Sequence, residues 1–87
     1  MRKQQQIGEH WIVDQLHTLA GEKGARVSAT EWSDARDLTR LLIARLNGKQ
    51  LMETFTLGEL EDLAAHDETQ ADVRRRLQTL IARALTS

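Results

Sequence analysis

Apolar residues recur along most of this chain at intervals of three and four, the spacing that lines one face of an α-helix. Ile12, Val13, Leu16, Leu19 and Ala20 share one arc and predict a first helix from Gln4 to Ala20, stopped by Gly21. Glu22 to Arg26, with Gly24 inside, reads as a loop. Trp32, Ala35, Leu38, Leu42, Ile43 and Leu46 predict a second helix. Ser28-Ala-Thr-Glu31 supplies its capping box, Val27 and Trp32 its hydrophobic staple, and Asn47-Gly48 its end. Lys49 to Phe55 is a connection, with a helical turn around Leu51-Met52.

The same grammar returns after Phe55. Thr56-Leu-Gly-Glu59 is a capping box, with Phe55 and Leu60 as its staple. Leu57, Leu60, Leu63 and Ala64 face inward on a short third helix that ends near Ala65 or His66. After a turn at Asp67-Glu68-Thr69, Thr69-Gln-Ala-Asp72 opens a fourth helix running to about Leu85. Its buried stripe is Val73, Leu77, Leu80, Ile81, Ala84 and Leu85. The fold expected is all-α: residues 1–87 form one domain, a compact bundle of four helices ending in an αα-hairpin.

Composition supports that expectation. Leu and Ala total 23 residues, while Val, Ile, Phe, Trp and Tyr total 10, which favours helix over strand. There is no Pro to break a helix. There is also no Cys, which removes disulfides, thiolate nucleophiles and Cys-based zinc sites. No apolar run approaches a membrane span and no signal peptide opens the chain, so a cytoplasmic protein without a membrane partner is expected.

The net charge of −1 conceals segregation. Residues 51–69 carry six acids and no Lys or Arg, whereas residues 70–87 carry four Arg and one Asp. On the fourth helix Arg76 and Arg83 form an outward stripe with Arg75 beside it, and Asp72 is placed to pair with Arg76. Arg74 lies at the edge of the apolar stripe, where its stem packs while its head reaches water.

Catalytic signatures are missing: there is no nucleophile elbow, phosphate loop, dinucleotide fingerprint or zinc-protease motif. His10, Asp14 and His17 share a stripe of the first helix. The two His stand roughly 10 Å apart along the axis, so they read as a solvated face rather than a metal site. No cofactor is expected. Trp11 and Leu41 fall off the apolar arcs of their helices; Trp11 reads as a second core contact in a helix wedged between two neighbours or as an aromatic anchor for a partner, and Leu41 is a candidate partner contact. Leu41 with Ala44 leaves room for a homodimer contact.

Phe55-Thr-Leu-Gly-Glu-Leu-Glu-Asp-Leu-Ala64 and Val73-Arg-Arg-Arg-Leu-Gln-Thr-Leu-Ile-Ala-Arg-Ala-Leu85 together resemble the helix-turn-helix half of bacterial winged-helix regulators. Leu60, Leu63, Ala64, Val73, Leu77 and Leu80 match the core places of that pattern. The resemblance implies that Gln70, Asp72, Arg75 and Arg76 face DNA.

Two functions remain open. The first is a non-catalytic regulator, adaptor, inhibitor or assembly factor that binds a protein partner through Trp11, Leu41, Arg75, Arg76 and Arg83. The alternative is a DNA-binding transcriptional regulator. The acidic segment beside the arginines favours the first, because an acidic helix next to a phosphate backbone repels it. One local expectation is directly measurable. Thr56→Ala removes the cap of the third helix and lowers stability by about 0.5–2 kcal/mol, seen as a lower urea midpoint at unchanged slope.

Overall fold

The computed structural model describes residues 3–86. Helix α1 spans Lys3–Glu22, followed by strands β1 (Val27–Asp34), β2 (Thr39–Leu46) and β3 (Lys49–Thr56). Two helices close the order, α2 (Leu57–Asp62) and α3 (Asp67–Thr86). The strands form one antiparallel sheet in the order β1-β2-β3. The fold is therefore α+β, with helices on one face of the sheet, and not the all-α bundle of four helices that periodicity predicts.

The error lies in residues 27–56. Leu38, Leu42 and Leu46 repeat every four residues, and four is close to one helical turn but also two strand periods. In the structure Leu42, Ala44 and Leu46 alternate inward on β2, and Leu51 and Phe55 do so on β3. Asn47 and Gly48 do not stop a helix. Their φ angles of 51° and 84° make a two-residue turn with both central residues left-handed, the turn that matches strand twist. Asn47 also fastens this turn to β1. Its N–H donates to the Arg26 carbonyl and its Oδ1 accepts from the Arg26 N–H, both at 3.0 Å. The Ser28 capping box does not exist: Ser28 lies at a bulge in β1, between Val27 and Ala29. Ala35 and Leu38, expected in the core, are exposed in the β1–β2 connection, and Ile43 faces away from the helices.

The helical ends are closer to expectation. Thr56 is the N-cap of α2: its hydroxyl accepts from the Glu59 N–H, and Glu59 accepts in return from the Thr56 N–H, each at 3.0 Å. Phe55 and Leu60, the expected staple, are both buried. Two ends differ. α1 runs past Gly21 to Glu22 and closes on Gly24, whose φ is +70°. The Ala25 N–H donates to the Ala20 carbonyl at 2.9 Å and the Gly24 N–H to the Gly21 carbonyl at 3.0 Å, which is a Schellman closure. α3 opens at Asp67, so Thr69 lies inside its first turn rather than capping it. Asp67 and Glu68 at the start of α3 and Arg83 near its end complement the helix dipole.

The core lies between the sheet and the helices. Ile12, Leu16, Leu19 and Ala20 of α1 meet Val73, Leu77, Ile81 and Ala84 of α3 beneath the inward residues of the strands. α2 packs chiefly on α1, so the expected αα-hairpin of the last two helices is not the main helical contact. The approach of α1 to α2 is very close at Gly8. A Cβ there would stand 2.8 Å from the Leu60 carbonyl carbon and 2.9 Å from its Cα.

Gly8→Ala therefore forces backbones apart and lowers stability by about 1–3 kcal/mol. Gly21→Ala, in a helix and with no atom within 4 Å of the new Cβ, leaves stability unchanged or raises it by up to about 1 kcal/mol. Urea unfolding of the pair measures both, and equal midpoints would refute the close contact.

Candidate interaction surface

Of the residues singled out on α3, Arg76 is the most engaged. Its Nη1 donates to Glu59 Oε2 at 2.7 Å and its Nη2 to the Thr54 carbonyl at 2.8 Å. The Glu53 carboxylate lies 3.5 Å away, and the guanidinium sits 4.8 Å above the Phe55 ring. Arg76 thus ties α3 to the corner where β3 enters α2. Its expected partner Asp72 pairs instead with Arg75, at 3.9 Å. Gln70 donates its side-chain amide to the Leu63 carbonyl at 2.8 Å, closing the α2–α3 turn. Arg74 donates to Gln15 at 3.1 Å, and its guanidinium lies 5.7 Å from the centre of the Trp11 ring. Trp11 is half-buried against the core. Arg75 is 74% exposed, and Arg83 is exposed in the last turn.

A second polar cluster joins α1 to the sheet. Arg40, inward-facing on β2, donates to Glu9 at 2.9 Å and to Asp34 at 2.6 Å. These bonds, the one to Glu9 first, raise the Arg40 pKa above its ordinary value. Glu9 and Gln5 are both buried, and Gln5 donates to Glu61 at 3.0 Å. Every buried side-chain nitrogen and oxygen among the described residues has a partner. His10, Asp14 and His17 are exposed on α1. No group of three or more His, Cys, Asp or Glu among the described residues is placed to hold a metal ion.

No element of the described residues covers the opposite face of the sheet. Strand register places Ile43 between Glu31 and Met52, and Leu41 between Ser33 and Thr54. Arg45 lies between Ala29 and Gln50 in the next row. Leu41, Ile43 and Met52 therefore form a contiguous apolar centre. Met52 is 57% exposed, while Leu41 and Ile43 are half-buried by their strand neighbours. Among the described strand residues, Glu31 and Arg45 are the charged outward positions on this face.

Leu41 was a candidate contact in the sequence, but its expected neighbour Ala44 is buried on the other face. Ile43 and Met52 escaped sequence reasoning, because Ile43 fits a helical stripe and Met52 lies in what reads as a connection. The signal that would have found them is Asn47-Gly48 read as a two-residue hairpin turn, because pairs counted outward from it set Ile43 opposite Met52.

The two ends of the sheet differ in charge. At the Asn47-Gly48 end stand Lys23, Arg26, Arg45 and Lys49, with Arg83 near the end of α3, where Lys49 donates to the Ala84 carbonyl at 3.0 Å. At the other end Asp34 closes β1, where it pairs with Arg40, and Asp37 lies in the β1–β2 connection next to Arg36. There an open cleft of about 690 Å³ is lined by Gln5, Asp37, Leu38, Thr39, Thr56, Leu57, Gly58 and Glu61. Leu38 at its rim is 74% exposed and has a φ of 59°, a strained backbone for a bulky residue. Its carbonyl accepts from the Leu57 N–H at 2.9 Å.

Compared with protein-family models, curated proteins and solved structures, the chain matches none.

The two central arginines of α3 should separate cleanly in stability. Arg76→Ala strips charged partners from Glu59 and lowers stability by about 1–2 kcal/mol. Arg75→Ala, at an exposed position, stays within about 0.5 kcal/mol of the parent. Thermal and urea unfolding measure both, and an unchanged Arg76→Ala protein would remove the corner from the account.

Proposed function

We propose that this protein is a small, non-catalytic interaction module that binds a protein partner on the uncovered face of its sheet. The observation that carries this reading is the apolar centre of Leu41, Ile43 and Met52 on that face. A sheet with one face in water normally alternates apolar inward and polar outward. Here the outward positions of β2 and β3 break that alternation at three adjoining sites. Glu31 beside Ile43 and Arg45 in the next row border this centre, an apolar core with a polar rim.

Two observations lower the standing of DNA binding. Arg76 is engaged by Glu53, Glu59 and the Thr54 carbonyl, so contact with a phosphate would cost those bonds. α2, which would brace a recognition helix, carries Glu59, Glu61 and Asp62. No helix of the described residues is long and apolar enough to cross a membrane.

The test has two arms. Duplex DNA at low ionic strength, where non-specific attraction is strongest, should leave the protein unshifted in a gel. Immobilised protein should retain proteins from a lysate of its source, and Ile43→Glu should lose them while Arg75→Ala does not. Salt-sensitive DNA binding that an Arg75/Arg76 double variant abolishes would replace this reading. Equal retention by the parent and Ile43→Glu would move the interface off the sheet.

A further inference from the structure

We propose that the outer edge of β1 takes an extended, basic segment of the protein partner as a further antiparallel strand. This rests on the reading above, that the chain binds a protein, and adds where the partner's backbone joins it and which side chains it brings.

The two edges of the sheet are not equally available. β1 and β3 are the outer strands. Pairs counted outward from the Asn47-Gly48 turn alternate between bonded and non-bonded, so Leu46, Ala44 and Leu42 bond to β3 while Arg45, Ile43 and Leu41 bond to β1. The outer side of β3 is engaged. The Thr54 N–H donates to Glu53 at 3.0 Å, its carbonyl accepts from Arg76 at 2.8 Å, and Lys49 donates to the Ala84 carbonyl at 3.0 Å. On β1 the same count turns Ala29, Glu31 and Ser33 toward β2, and directs the N–H and C=O of Thr30 and Trp32 outward. No hydrogen bond among the described residues reaches those four groups, and β1 is exposed from Ser28 to Glu31.

A row of outward main-chain donors and acceptors in extended backbone is complementary to another extended chain. Edges that avoid such pairing carry Lys, Pro or a bulge. From Ala29 to Asp34 there is no Lys, Arg or Pro, and the bulge lies earlier, at Ser28.

Charge and register set the chemistry of the segment. Both charged residues of β1, Glu31 and Asp34, are acidic. Asp34 is held by Arg40, whereas Glu31 is exposed on the open face of the sheet and forms no ion pair among the described residues. An added antiparallel strand exchanges paired main-chain bonds with Thr30 and with Trp32. The residue opposite Glu31 then forms a non-bonded pair, its Cα about 4.5 Å away, where Lys or Arg meets the carboxylate. Its two neighbours fall on the helix side, beside Thr30 and the half-buried Trp32 ring, which packs on Phe55 with centroids 5.9 Å apart. β-Branched side chains suit those places. The outward side chains of the segment continue the face that carries Ile43.

The blocked peptide acetyl-Thr-Val-Lys-Val-Thr-amide, titrated into the isotope-labelled full chain, tests this by nuclear magnetic resonance. The Thr30 and Trp32 amide signals should move and saturate with a Kd of about 1 mM. N-methylation of both Val removes the donors to the Thr30 and Trp32 carbonyls and should weaken binding at least about tenfold. N-methylation of the Lys, whose N–H points away from β1, should leave it within about twofold. Glu31→Lys should weaken binding by about twofold to fivefold, and a peptide with Glu in place of Lys should then prefer this variant to the parent.

Thr30 and Trp32 signals that stay still overturn the edge site; the wider reading survives that result if Ile43→Glu still abolishes lysate retention. Signals that move at Ile43 and Met52 instead place the peptide on the open face and overturn the edge site too. Equal binding of the doubly N-methylated peptide overturns main-chain pairing. A parent that prefers the Glu peptide overturns the basic segment. Thr30 and Trp32 signals that shift with protein concentration alone make a second copy the occupant, which also overturns it.

Discussion

The two-residue turn at Asn47-Gly48 governs the rest of this structure. With both residues left-handed, the chain reverses in the one geometry that keeps β2 and β3 twisted together. Once that reversal is made, register follows with no freedom: Leu46 faces Lys49, and every pair outward to Thr39 and Thr56 is set. A slip of one residue would put Leu51 and Phe55 on the opposite face from Leu42, Ala44 and Leu46. The hydrogen bonds between Asn47 and Arg26 extend the same constraint to β1. The sheet then offers one apolar face to α1 and α3 and leaves the other uncovered.

Two polar clamps hold the helices on that sheet. Arg40 joins β2 to Glu9 of α1, with Asp34 as its second partner. Arg76 joins α3 to β3 and α2, sharing Glu59 with the capping box of Thr56. The two oxygens of Glu59 thus serve a helix start and a long-range contact at once. This explains why segregated charge in the sequence does not become a basic helix beside an acidic one. Part of the −6 segment is neutralised internally by Arg76, and the exposed acids Asp62, Asp67 and Glu68 lie at the end of α2 and the start of α3.

The sequence was legible where one periodicity fits alone. α1, the cap and staple of α2, and the buried stripe Val73-Leu77-Ile81-Ala84 of α3 all emerge from spacing and capping chemistry. The middle third was not legible, because Leu38, Leu42 and Leu46 satisfy both helical and strand repeats and Asn-Gly ends a helix as readily as it turns a hairpin. Low β-branched content strengthened the wrong choice: β2 carries three Leu and an Ala, and β3 a Leu and a Met, residues whose intrinsic preference is helical. Tertiary packing overrides that preference, as it does when both sides of a turn bury alternate residues. The interface followed the same division. Leu41 was visible as an apolar residue off its arc, whereas Ile43 and Met52 become neighbours only when β2 and β3 pair.

The central claim is that residues 39–56 form a hairpin carrying Leu41, Ile43 and Met52 on one face. Pairs counted outward from a two-residue turn alternate between bonded and non-bonded, and Hα atoms in the non-bonded pairs lie close together. Nuclear Overhauser contacts between Hα protons measure this most directly. Strong contacts from Ile43 to Met52 and from Leu41 to Thr54 are the predicted result. Contacts from each residue to the third one following it through residues 28–46, the signature of a helix there, would contradict the account.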